Sequence, residues 1–200
     1  MKIPTIKKEE WLILAALTAL TIFVFSRTSK QIKNKPTSIK VDKTKNYILG
    51  DSQVPFIDLN SKKASVIGKN GNQGAEEFLW LGGKDLKWLK NAITKYPIST
   101  DVNSITVSVG TNGGFNINDD ISGLTNLIKQ KFPNAQLYVV QGSWNWGGNK
   151  NVTEQQVRRY YKKYEDLGFT LIEPPIGPIE PHGNYPVYKE IGAILDDKIN

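Results

Sequence analysis

The sequence predicts an α/β protein, a three-layer α/β/α sandwich around a central parallel sheet. Five short apolar or β-branched runs alternate with stretches whose apolar residues recur at helical spacing. Strands alternating with helices build parallel β-α-β units, and these bury a sheet on both faces. Three of the runs also stop at glycine or polar turns. That topology gathers such turns along one edge of the sheet, the edge at which open α/β sheets bind ligands.

The first run is Tyr47-Ile48-Leu49, which ends in Gly50-Asp51-Ser52-Gln53. A tight turn here lifts the Ser52 hydroxyl over the carboxyl edge of the sheet. A serine on a strand-to-helix elbow is exposed for chemistry, while Ser and Asp are equally at home capping the next helix. The tripeptide alone does not choose between these roles. Ala64 to Gly68 reads as a second short strand, followed by a loop over Lys69 to Gly74. Leu81-Gly82-Gly83 then leads into a helix over Lys84 to Ile93, where Leu86, Leu89 and Ile93 share one face. A glycine just before a helix lets backbone N–H groups approach a ligand closely, or simply makes a turn.

Ser104 to Gly110 is the clearest strand, rich in β-branched residues, and it runs into Thr111-Asn112-Gly113-Gly114. Asp119 to Lys131 is predicted helical, with Pro133 beyond its end. Gln136 to Gln141 is the next strand, followed by the loop Gly142-Ser143-Trp144-Asn145-Trp146-Gly147-Gly148. Thr153 and Gln156 have the spacing of a capping box, which starts another helix. Phe169 to Ile172 is a last strand, and Pro186 to Ile199 a closing helix with Pro186 in its first turn.

Composition narrows the chemistry. The chain has 200 residues with 22% charged and 39% hydrophobic side chains, the profile of a globular protein. It has no cysteine, which excludes disulfides and thiolate metal sites. Its single histidine, His182, excludes a multi-histidine metal centre. Net charge is +7, and Lys30, Lys33, Lys35, Lys40, Lys43 and Lys45 form a loose basic run. Such a run beside an apolar segment suits anionic lipid headgroups. Without a recognition motif for DNA or RNA, a nucleic-acid partner is not expected.

The apolar segment is Trp11 to Phe25, flanked by Lys7-Lys8-Glu9-Glu10 and by Arg27. It is slightly short for a hydrocarbon core of about 30 Å, but flanking side chains can snorkel. Acidic residues just before the core and the poor cleavage site Val24-Phe25-Ser26 favour an uncleaved anchor over a signal peptide. The expected organisation is a single-pass membrane anchor over 1–28, with residues 11–26 in the bilayer, a basic linker over 29–45 and one domain over 46–200. Lysines on both sides leave the orientation open.

Gly50-Asp51-Ser52, a glycine before a helix, Gly110-Thr111-Asn112 and a late histidine before a C-terminal helix together resemble the SGNH hydrolase (GDSL esterase-lipase) superfamily, from about Tyr47 onward. The resemblance implies a flavodoxin-like sandwich and a serine hydrolase that needs no metal or other cofactor. By it, Ser52 is the nucleophile and His182 the general base. The oxyanion hole comprises the backbone N–H of Ser52, that of Gly83 (Gly82 being the alternative alignment) and the side-chain amide of Asn112. The set is chemically coherent: a serine hydroxyl needs a base to take its proton, and a tetrahedral oxyanion needs preorganised donors near 3 Å.

Two positions depart from the family pattern. Gly113 follows Asn112 where an aspartate is usual, and Ile179 stands where the family places the aspartate three residues before the histidine. Glu180 is the nearby acid that would orient His182; otherwise a Ser-His dyad remains. Trp144 and Trp146 either stack on sugar rings or plug the loop. The reading is therefore a membrane-anchored esterase acting on small acyl esters, acetylated carbohydrate among them. The alternative is a catalytically inactive SGNH-like domain that binds a glycan or serves a structural role.

Overall fold

The computed structural model describes residues 45–68, 74–109, 115–145, 150–174 and 185–199. The strands are β1 (Asn46–Gly50), β2 (Ser65–Val66), β3 (Ser104–Ser108), β4 (Gln136–Val140) and β5 (Thr170–Ile172). The helices are α1 (Val54–Asn60), α2 (Leu86–Lys95), α3 (Ile121–Lys131), α4 (Glu154–Asp166) and α5 (Tyr185–Lys198), with a 3-10 turn at Glu76–Phe78. All five strands are parallel, in the order β2-β1-β3-β4-β5. Chain direction across the sheet reverses between β1 and β3, the position at which sheets of this order place their ligands.

Alternation along the strands sorts the core into two clusters. Leu49, Ile105, Val107, Leu137 and Val139 face α2, α3 and α4, where they meet Leu89, Leu124 and Val157. Ile48, Tyr138, Val140 and Ile172 face α1 and α5, where they meet Ile57, Tyr188 and Leu195. Helices thus cover both faces of the sheet, and the described residues form part of one compact unit over Val41–Asn200.

Local signals set the helix starts. Asp85 caps α2 by accepting from the Trp88 N–H at 2.8 Å, and Asp120 caps α3 by accepting from Gly123 N–H at 2.8 Å. Thr153 and Gln156 form the predicted capping box of α4. The helix expected over Lys84 to Ile93 therefore begins two residues later, because Asp85 is its cap. The seven-residue α1, with Pro55 in its first turn, is too short for its periodicity to stand out. It is fixed from outside. A Cβ on Gly192 would overlap the Asn60 carbonyl oxygen, so α5 approaches α1 backbone to backbone. The Asp196 carboxylate then accepts from Ser61 Oγ at 2.6 Å, Lys62 N–H at 2.7 Å and Lys63 N–H at 3.0 Å.

Among the described residues no helix is long and apolar enough to cross a membrane. The Trp11 to Phe25 segment and the basic run from Lys30 to Lys43 lie outside the described residues.

Candidate functional site

Ser52 sits immediately past the carboxyl end of β1, beside the reversal point of the sheet. The backbone around it is held from both sides. Gly50 N–H donates to the Leu79 carbonyl at 3.0 Å, and Leu81 N–H donates back to the Gly50 carbonyl at 3.0 Å. One residue on, Asp51 N–H donates to the Ser108 carbonyl at the end of β3, also at 3.0 Å. The 79–81 segment thus extends the sheet on one flank of the turn while β3 closes the other. Trp80, whose ring is buried, bridges Gly50 in parallel register.

The conformational demand of this turn falls on Gly50, not on the serine. Gly50 has φ +142°, and a Cβ there would overlap the Ser108 carbonyl oxygen. Among the described residues, positive φ outside glycine occurs at Lys45, Leu79 and Asn145. Ser52 itself therefore does not take a left-handed conformation, in contrast to the strained nucleophile elbow of α/β-hydrolases. Asp51 is fully buried, and its carboxylate accepts from the Gln53 N–H at 3.0 Å. It serves as an anchor that fixes the start of α1, while Ser52 stays half-exposed at the rim.

The extended flank delivers the glycine pair. A Cβ built on Gly82 would lie 3.7 Å from the Ser52 Cβ, an ordinary van der Waals contact, so the Gly82 backbone stands against the serine. Gly83 is one residue further out, with φ +70° and open space around it. The structure thus sets the Gly82 backbone beside Ser52, while Gly83 completes the turn into α2. Sequence reading missed the 74–81 segment that makes this possible. Its signal was short: the apolar run Phe78-Leu79-Trp80-Leu81 is at the lower limit of length for a strand.

The other predicted site residues fall as follows. Asn112, Glu180, His182 and Trp146 lie outside the described residues, as does Ile179. Trp144 is half-buried and packs against the core cluster beneath α2, α3 and α4. That placement favours a plugging role for its ring. The following Asn145 takes a left-handed conformation (φ 53°), and its N–H donates to the Val152 carbonyl at 3.0 Å, closing the loop.

Asp119, at the exit of the β3–α3 connection, is a carboxylate perturbed upward, opposite in sense to the neighbouring Asp120. Partial burial raises its pKa above the ordinary carboxylate range; the Tyr160 hydroxyl counters this, Asp85 adds to it, and Lys163 and Lys90 oppose it. Among the described residues no cluster of histidine, aspartate or glutamate could hold a metal ion.

No protein-family model matches the chain, and no curated protein does. Solved structures do. One, from Streptococcus pneumonia and described provisionally as a platelet activating factor, has 11% identity and a TM-score of 0.57, with 94% of this chain and 99% of that one covered. Another, a member of the lipolytic G-D-S-L family from Veillonella parvula, has 11% identity and a TM-score of 0.49, with 76% of this chain and 96% of that one covered. The likeness to the first shows a shared fold.

Proposed function

We propose that this chain is a serine ester hydrolase of the SGNH kind. The observation that carries the reading is the juxtaposition at the β1–β3 reversal: a half-exposed Ser52 with the Gly82 backbone against it. The fold shared with the pneumococcal protein is consistent with it.

In this mechanism Ser52 Oγ attacks the ester carbonyl as its proton passes to His182. The carbonyl π electrons move to oxygen, and that oxyanion is held by the N–H groups of Ser52 and the Gly82-Gly83 turn and by the Asn112 amide. Each such donor is worth about 3 kcal/mol in comparable sites. Collapse of the tetrahedral intermediate expels the alkoxide, which takes the proton from His182. Water, deprotonated by the same imidazole, then releases the acid and regenerates Ser52. Glu180 or a backbone carbonyl orients the ring. Small acyl esters, acetylated carbohydrate among them, are the proposed substrates, and the apolar 11–25 segment the proposed membrane tether.

The test is labelling with a fluorophosphonate probe alongside hydrolysis of p-nitrophenyl acetate. The parent protein should label and turn over. Ser52→Ala should lose the label and at least about 10³-fold in kcat without a change in Tm. Turnover that survives both Ser52→Ala and His182→Ala would rule the mechanism out. A folded parent that neither labels nor turns over would favour the non-catalytic reading, which Ile179 in the usual acid position already supports.

A further inference from the structure

Helix α4 turns three tyrosines, Tyr160, Tyr161 and Tyr164, into the core beneath β3 and β4, and all three are fully buried or nearly so. Phenylalanine would fill the same space. A buried hydroxyl carries a desolvation cost that its partners must offset, so the partners indicate what the hydroxyls do. Tyr161 Oη donates to the Val109 carbonyl at 3.4 Å, and Val109 immediately follows β3. Tyr160 Oη donates to Asp119 Oδ2 at 3.4 Å, and Asp119 lies just before α3. One turn along the same helix, Lys163 Nζ donates to the Ile117 carbonyl. The ring of Phe115 packs on Tyr160 with centroids 5.0 Å apart. Three side chains of one helix therefore grip both ends of a single connection, entering at Val109 and leaving at Ile117 and Asp119.

We propose that α4 is the positioning element of the β3–α3 connection, with Tyr161 fixing its entry and Tyr160 and Lys163 its exit. Under the hydrolase reading, on which the catalytic consequence rests, that connection bears Asn112, the side-chain oxyanion donor. A donor must stay within a fraction of an ångström of its productive place to keep its full effect. These residues do not touch substrate. They act through Asn112, and their hydroxyls and amine do what packing alone would not.

The test uses the full-length protein with Tyr161→Phe, Lys163→Met and their combination. Lys162→Met serves as control, since Lys162 pairs with Asp166 on the exposed face of α4. Each positioning variant should lower kcat for p-nitrophenyl acetate by roughly three- to ten-fold, well short of the 10²-fold that a misplaced group can cost. KM should stay within about two-fold of the parent value. On an Asn112→Ala background the same substitutions should cost nothing further. Losses that multiply in full on that background would overturn the proposal.

Hydrogen exchange separates this proposal from the hydrolase reading. The amides of residues 115–119 should exchange several-fold faster in the double variant while those of β1 are unchanged. If the parent hydrolyses nothing, the hydrolase reading fails but that exchange result still supports the clasp. Unchanged exchange over 115–119 would overturn the clasp whether or not the protein is an esterase.

Discussion

Two connections leave the same edge of the sheet, one after β1 and one after β3, and they are held by different means. The first is fixed by main chain: Gly50 and Asp51 exchange backbone hydrogen bonds with the 79–81 segment and with Ser108. The second is gripped at its ends by side chains from a helix more than forty residues downstream in sequence. Main-chain bonds do not depend on which side chains are present, provided that no Cβ intrudes. A turn built that way tolerates most substitutions and fails abruptly at one glycine. A turn held by hydroxyls and an amine loses its placement in steps, so its precision can be tuned without unfolding the protein.

The largest expected effect follows from the first half of that contrast. Gly50→Ala must place a methyl group into the Ser108 carbonyl at a φ of +142°. Both the overlap and the strain act at a fully buried junction of β1 and β3. The variant should lose at least about 3 kcal/mol, seen as a large drop in urea midpoint or as insoluble protein. A variant with parental stability would mean that the two strands can part without cost, and that the turn is not held as described.

Next in size is the contrast within the glycine pair. At Gly82 an added methyl meets only the Ser52 Cβ, at contact distance. Gly82→Ala should leave Tm nearly unchanged but crowd Ser52, which on the proposed mechanism lowers kcat/KM by roughly ten-fold. At Gly83 there is space but φ is +70°. Gly83→Ala should cost about 1 kcal/mol of stability and leave kcat/KM within about two-fold. The reverse pattern, with activity lost at Gly83 and kept at Gly82, would point to the outer glycine as the oxyanion donor of the proposed hydrolase.

This contrast also governs what could be read from the sequence. The five strands, their parallel sense and four of the five helices follow from alternation, helical spacing and caps such as Thr153; the strand order does not. The turn that carries Ser52 was legible because an apolar run stopping at Gly-Asp-Ser is a local pattern too. The placement of Gly82 beside Ser52 was not, since it depends on the 79–81 segment docking beside β1 from about thirty residues away. The clasp was hidden for the same reason: Tyr160 and Tyr161 look like part of one apolar helix face until the destinations of their hydroxyls are known. Short α1 was missed because what fixes it, Gly192 and Asp196, lies at the far end of the chain.

The smallest effect concerns the acid in the side-chain-held connection. Partial burial raises the Asp119 pKa in the folded state. A carboxyl whose folded pKa is raised contributes stability below its unfolded pKa and loses it as pH rises through the folded value. Exposed Asp101 and Asp120 run the other way. Hydrogen bonds from Lys45 and Ser99 lower the first and one from Lys90 lowers the second, so their contributions fade as pH falls. Asp119→Asn keeps an oxygen acceptor for the Tyr160 hydroxyl while removing the titration. Its stability relative to the parent should therefore climb as pH rises from about 4 to about 7, an effect that solvent screening keeps small. Urea midpoints at the two pH values measure the difference. A gap that shrinks with pH would mean that Lys163 and Lys90 outweigh burial at this carboxylate, and that the exit of the connection is held by charge as much as by the tyrosine hydroxyl.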